Sequence, residues 1–238
     1  MSPVATRIFL AGATGAIGRR LLPLLLGAGC EVTGTTRRPE KAAALAALGV
    51  RPVVVDIFDG EALTRALAET TPDVLIHQLT DLPQAIDPAT LPEALRRNAR
   101  LRSVGTPILM RAAQAAGVRR AVVQSICFVY RAGPMPYAES APLESPSVSE
   151  HEAAALGTPG VDGIVLRYGR LWGPGTWAEK PDGLAAPLHV DAAAHAALLA
   201  ISRGAPGIYN IAEEDGTVLT EKARRELGFD PLFRLEGR

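Results

Sequence analysis

RIFLAGATGAIGRRLLPLLLGAG, residues 7 to 29, is the stretch on which the reading of the whole chain turns. Its first six residues are an apolar run of strand length, and from residue 15 the pattern becomes a leucine- and alanine-rich helix closing on Gly29. Between the two lie Gly12, Gly15 and Gly18 at three-residue spacing. A glycine at a strand exit permits a tight turn, the next lets backbone approach a pyrophosphate, and the third lets the helix pack closely. The helix start then offers free N–H groups and the positive end of its dipole. Elsewhere a glycine triplet signals only a turn. Between a strand and a helix it predicts a dinucleotide-binding loop.

The alternation continues outward. Strands are predicted at 30–36, 51–58, 73–80, 119–126 and 163–169, with helices at 39–49 and 60–70. A long helical region at 91–116 is predicted to be interrupted at Gly105-Thr106-Pro107. Strands apolar on both faces and separated by helices imply a parallel sheet covered on both sides. Right-handed crossovers leave a doubly wound α/β sheet, a Rossmann fold, as the expected class. Two regions are expected: a dinucleotide-binding core at 1–170, and a small, reduced substrate-covering lobe at 171–238 with a returning strand and helix. The Pro/Gly-rich stretches 131–147 and 173–187 lie beyond the fifth and sixth strands, where ligands bind in such sheets.

Composition narrows the partner. Hydrophobic residues make up 47%, enough for a buried core, and 25 basic residues balance 25 acidic ones. That balance gives no field to draw nucleic acid or a membrane surface, so a small-molecule substrate is expected, with a homodimer left open. Two cysteines, Cys30 and Cys127, cannot make a disulfide framework and point to a reducing, cytoplasmic setting. Arg19-Arg20 before LLPLLLGAGC resembles a leader peptide, but the run is short, broken by Pro23, and belongs to the helix above. No His/Cys/Asp/Glu cluster has metal-ligand spacing, so no metal is expected.

The second strand bears on cofactor choice. An acid at its end would hold the ribose hydroxyls of NAD, whereas this chain reads TTRRPEK. Arg37 and Arg38 suit a 2′-phosphate in charge and fork geometry, favouring NADP(H) over NAD(H); otherwise they are solvated arginines opening a helix. Asp56, ending the third strand, either accepts from an adenine amino group or caps the turn before the next helix.

Read together, ATGAIG (13–18), VVVDIFD (53–59), AAQAAGVRRAVVQS (112–125), FVY (128–130), LRYGRLWGPGT (166–176), HVDAAAHA (189–196) and GIYNI (207–211) resemble the short-chain dehydrogenase/reductase superfamily. The likeness is to its extended or atypical, epimerase/dehydratase-like branch. It implies that Gly12, Thr14, Gly15, Ala16 and Ile17 hold the pyrophosphate, and that Asp56 and Ile57 flank adenine. It places Leu79 and Thr80 along the nicotinamide ribose, Ser125 at the active site, and Tyr168, Gly169 and Arg170 near nicotinamide and substrate. His189 and Asp191 take a structural role. The short span between GPGT and HVD argues against a bulky nucleotide-sugar substrate.

One stretch departs from the pattern. Where the family carries Tyr-x-x-x-Lys, this chain reads SPSVSEHEAAA (145–155), with Ser147 at the tyrosine position and His151 at the lysine position. A lysine one turn from a tyrosine favours the phenolate, which exchanges the proton that accompanies hydride transfer. A serine–histidine pair is either a weaker relay titrating near 6.5 or simply a helix start with solvated side chains. Tyr130 and Tyr137 are the rival donors, with packing as the other role for Tyr130. Cys127 is expected in the core; Trp172 and Trp177 either wall a ring-bearing substrate or pack the lobe.

The expected function is an NADP(H)-dependent oxidoreductase acting on a small apolar or aromatic carbonyl or quinone-like metabolite, with a non-standard proton donor. Two alternatives stand beside it: a non-catalytic NADP-binding redox sensor, and an epimerase, lyase or cyclase with retained cofactor.

Overall fold

The computed structural model describes residues 6–83 and 85–235; the outermost ends of the two expected regions, 1–5 and 236–238, lie outside the described residues. Seven parallel strands form one sheet: β1 (Arg7–Ala11), β2 (Glu31–Thr36), β3 (Arg51–Val54), β4 (Val74–His77), β5 (Arg120–Ile126), β6 (Asp162–Tyr168) and β9 (Gly207–Ile211), in the order β3-β2-β1-β4-β5-β6-β9. The order reverses between β1 and β4, and that switch point opens a crevice at the carboxyl edge.

Alternation along the strands sorts the core into two layers. Ile8, Leu10, Val74, Ile76, Val122, Ile164 and Leu166 face α1 (Ala16–Gly27) and α7 (Val190–Leu199). Phe9, Leu75, Ala121, Val123 and Val165 face α3 (Gly60–Thr70), α5 (Thr106–Ala115) and α6 (Pro146–Leu156). Both faces being covered is why the strands read as continuous apolar runs. The leader-like segment is α1 itself: Ile17, Leu21, Leu22 and Leu25 are buried, and Arg20 forks onto the buried Asp191 carboxylate at 2.5 and 3.1 Å. No described helix is long and apolar enough to cross a membrane.

Several expected boundaries moved, the fourth strand among them, which ends at His77 and not at residue 80. The third strand ends at Val54, not residue 58, because Asp56 turns the chain by accepting from the Phe58 N–H, and Asp59 then caps α3 through the Ala62 N–H. The break expected at 105–107 is a π turn, Leu101–Gly105, joining α4 (Leu91–Arg100) to α5. Pro107 has no N–H for the carbonyl four residues back, and the helix accommodates it with one wider turn instead of ending.

Beyond β6 the chain forms a small parallel pair, β7 (Arg170–Trp172) with β8 (Pro187–His189), then α7, the returning strand β9 and α8 (Glu221–Leu227). The pair holds the 173–186 connection near the carboxyl edge, where the Trp177 indole N–H donates to the Pro83 carbonyl.

Candidate active site

The β1–α1 turn is built for close approach. Gly12 sits at φ +96°, and a Cβ there would lie 2.7 Å from the Gln78 backbone carbonyl. A Cβ on Gly18 would collide with the Gly12 carbonyl, so the third glycine seats the helix on the turn. Gly15 is exposed, its N–H donates to Gly12, and α1 starts with no side-chain cap and no acid in its first turn. Its free N–H groups and dipole therefore face the crevice without local competition. Thr14 and Ala16 are half-buried and Ile17 is buried beneath them. This cradle fits a dinucleotide pyrophosphate.

At the end of β2, Arg37 and Arg38 are exposed. Arg37 donates to Asp81 at 2.9 Å, and Arg97 approaches the other oxygen of that carboxylate at 3.4 Å. The ion pair spans from β2 to the segment after β4, across the glycine turn. Arg38 has no acid partner among the described residues. Asp56 is exposed, Ile57 buried, Leu79 half-buried and Thr80 exposed, all at the same edge.

The chemistry-bearing centre lies where β5, β6 and α6 meet. Arg167 and Glu152, both nearly inaccessible, form a two-pronged ion pair at 2.8 and 2.6 Å. Ser125 donates its hydroxyl proton to the same carboxylate at 2.6 Å. Arg167 also donates to the Tyr130 oxygen at 2.8 Å, and Tyr130 donates to Asn210 Oδ1 at 2.6 Å. Burial opposes a charged Arg167, yet the hydrogen bonds and charge of Glu152 outweigh it and hold the guanidinium protonated. Burial drives the Tyr130 phenol upward. Tyr137 stacks on Tyr130 at 5.1 Å and bonds the Gly133 backbone, away from α6.

The His151 expectations need correction on both counts. His151 is neither solvated nor a group titrating near 6.5: it is 1% exposed, and burial drives its pKa down to about 4. It bridges the Gln124 carbonyl through Nε2 at 2.6 Å and Thr106 through Nδ1 at 2.8 Å. Thr106 in turn contacts His77 Nε2 at 2.9 Å, and His77 Nδ1 accepts from the Leu79 N–H at 3.3 Å. Each bond is satisfied when both imidazoles are neutral, each with its proton on Nε2. Burial lowers His77 as well. Ser147 is half-buried on the first turn, 3.3 Å from Ser145, while Glu150 is exposed. The pair at the Tyr and Lys positions is thus split, Ser147 half-buried on the first turn of α6 and His151 buried and bonded to the Gln124 carbonyl of β5.

Other side chains resolve simply. Burial pushes Cys127 up to about 12, so it is a core thiol and not a nucleophile. Trp172 is fixed by Glu213 and by an edge-on contact with His189, whereas Trp177 stays exposed at the rim. Arg170 is exposed and lies over the Phe128 ring at 4.3 Å. Sequence reading missed Gln78, Gln124, Glu152 and Arg167. Strand alternation could have found three of them, as polar residues at inward positions of β5, β6 and just past β4.

Residues 12–173 match the model of the NAD(P)H-binding family. The chain is 36% identical to a Streptomyces protein named 3-diazoavenalumate denitrifying reductase, spanning 88% of this chain and 76% of that one. Among solved structures, UDP-glucose 4-epimerase of Thermotoga maritima superimposes with a TM-score of 0.78 at 17% identity, covering 96% of this chain and 94% of that one. A double mutant of the dTDP-glucose 4,6-dehydratase DesIV of Streptomyces venezuelae, with NAD bound, gives 0.78 at 21%, covering 96% and 92%. At those identities the likeness is one of fold. Family and relative together make the chain an NAD(P)-dependent enzyme of oxidoreductase type, which sets the sensor reading aside. By its phosphate loop, its strand order and these matches, the chain belongs to the NAD(P)H-binding family of Rossmann-fold proteins, with the architecture of the epimerases and dehydratases.

Proposed function

We propose that the protein is an NADPH-dependent reductase that passes hydride to a small electrophile needing no proton from the protein, with an aromatic diazonium as the substrate class. One observation carries this reading: the acids around the hydride site are already committed. Ser125 gives its proton to Glu152, Tyr130 gives its proton to Asn210, and His151 is a buried neutral ring. When bound, the reduced nicotinamide supplies the hydride. The chain's own part is to hold the pyrophosphate on Gly12–Ile17, to meet a 2′-phosphate with Arg37 and Arg38, and to keep a rigid floor of Arg167–Glu152 beneath the reacting atoms.

The name of the Streptomyces relative, a reductase that removes nitrogen from a diazo compound, suits such a site. At a diazonium carbon the C–H bond forms from the hydride's electron pair. The C–N bond breaks, and N₂ leaves with the bonding pair. Charge and atoms balance with no proton, so a site stripped of Tyr and Lys loses nothing the reaction needs. The exposed Trp177 at the rim offers a flat apolar wall for the ring. A carbonyl or quinone-like acceptor requires a proton on oxygen, which at this site would have to come from water. Epimerase or lyase chemistry requires a free base, and the buried imidazoles do not supply one.

Isotope tracing tests the reading. NADPH deuterated at C4 and a stable arenediazonium salt should give one N₂ per cofactor consumed, with the deuterium on the former diazo carbon. Unlabelled NADPH in D₂O should leave that carbon free of deuterium. Solvent deuterium on that carbon, or turnover of quinones and ketones alone, refutes the diazonium assignment.

A further inference from the structure

The sheet order dictates how a dinucleotide lies on this edge. With the pyrophosphate on the β1–α1 turn and the adenosine toward β2, the other half runs over the ends of β4, β5 and β6. Gln78 is the first residue past β4, and its side-chain amide reaches Tyr168, the last residue of β6. Its backbone is pinned: the N–H donates to the Ala11 carbonyl at 2.8 Å, and its own carbonyl abuts Gly12.

The side chain is 7% exposed, and its amide is only half satisfied. Nε2 lies 3.2 Å from the oxygen of the fully buried Tyr168, while Oε1 has no partner among the described residues. Rotating the amide by half a turn lets the phenol donate to Oε1, but then both Nε2 hydrogens lack an acceptor. In either orientation one end of a buried amide is left over. Neighbouring Gln124 does not fill it, because its Nε2 is spent on the Leu79 carbonyl at 3.0 Å. Buried polar groups are almost always paired, so a leftover end at a ligand-binding edge marks where the ligand brings a polar group.

We propose that Gln78 reads the cofactor's nicotinamide: its free amide end pairs with the ring's carboxamide, with Tyr168 holding the other end in place. A carboxamide carries both donors and an acceptor, so it complements whichever end faces it. Tyr168 is suited to the holding role, since burial drives its phenol far from ionisation and keeps it a neutral partner. Gln78 thereby acts as a positioning residue that fixes which face and edge of the ring is presented. The inference needs only that the protein binds a nicotinamide dinucleotide; it does not depend on the diazonium reading or on the 2′-phosphate preference.

Binding, not turnover, is the decisive measurement. Calorimetry would compare wild type with Gln78→Met, close in size but unable to pair, and with Gln78→Asn, whose amide is withdrawn by one methylene. Two ligands are titrated into each: whichever of NADP⁺ and NAD⁺ wild type binds more tightly, and the matching ADP-ribose fragment that lacks nicotinamide. Loss of the pairing should weaken the dinucleotide about tenfold or more while the fragment stays within about twofold. Equal weakening of both ligands would assign Gln78 to the fold. Unchanged binding of both would mean that water meets the free end. Failure of both variants to fold, judged by thermal melting, would likewise overturn the proposal, because the amide would then serve Tyr168 alone.

Discussion

The turn from β1 into α1 and the connection from β5 into α6 reach the same edge of the sheet with opposite characters. The first leaves everything open: an exposed Gly15, no cap on α1, and no acid in its first turn. The second closes everything: His151 and Glu152 point into the protein, and every polar atom they carry has a partner. The difference teaches that cofactor binding and proton delivery are separable in this architecture. For the first, the pyrophosphate turn is a matter of backbone geometry, which glycines supply. The second needs particular side chains, and here Ser125, Tyr130 and His151 are already bonded within the protein.

The largest effect should come from the closed side. Glu152→Gln leaves Arg167 buried without its counter-charge. Breaking such a pair costs about 3–5 kcal/mol, a fall in melting temperature on the order of 10 °C for a chain of this length. Thermal unfolding followed by circular dichroism reads it directly. A loss under about 1 kcal/mol would mean that the centre is not closed and that Glu152 is available for chemistry.

On the open side the effect should fall on binding and spare the fold. Gly15 has an ordinary φ, and its nearest neighbour to an added Cβ is the Gly12 carbonyl oxygen at 3.3 Å, so Gly15→Val is accommodated. The branched side chain would nevertheless stand where phosphate oxygens meet the first N–H groups of α1. Losing two such charge-assisted bonds costs about 10²-fold in affinity. Calorimetry showing wild-type affinity would reduce the glycine turn to a structural feature.

A smaller effect sharpens the reading of the open side. Arg38 has no acid partner among the described residues, whereas Arg37 is shared with Asp81. If both meet a 2′-phosphate, Arg38→Ala should narrow the preference for NADPH over NADH about tenfold, and Arg37→Ala somewhat less, because freeing Asp81 and Arg97 to pair more closely offsets part of the loss. Equal affinity of the wild type for the two cofactors would refute the 2′-phosphate reading.

The same contrast explains what could be read from the sequence. Glycine spacing between a strand and a helix maps directly onto backbone conformation, so Gly12, Gly15 and Gly18 were legible together with the doubly wound sheet. The closed centre was not. Glu152 and Arg167 are fifteen residues apart, and only packing α6 on β6 brings them to 2.6 Å. His151 looked solvated because SPSVSEHEAAA is small and polar around the histidine, a weakly amphipathic stretch whose buried face is set by tertiary contact and not by periodicity. The lone amide of Gln78 was legible only as a polar residue closing a strand of apolar ones.

The smallest effect is predicted for turnover at His151, and it decides between the two characters of the edge. Burial holds the imidazole at about 4, against about 6.5 in an unfolded chain. A lowered folded value means that the unfolded state binds the proton first, so this contribution to stability is complete above pH 6.5 and is lost as pH falls toward 4. Between pH 7 and pH 5 the loss from His151 alone is about 2 kcal/mol, and His77, lowered in the same direction, adds to it. His151→Gln keeps a donor for the Gln124 carbonyl but cannot ionise. It should flatten the acid limb of the stability curve while changing kcat less than about threefold, with wild-type kcat showing no limb near pH 6.5. A proton relay through His151 predicts the reverse pattern. Turnover would fall by about 10²-fold in the variant, and a wild-type limb near pH 6.5 would vanish with the imidazole. Stability and kcat measured on one protein across one pH series separate the two, because the closed arrangement moves only the first and a relay must move the second.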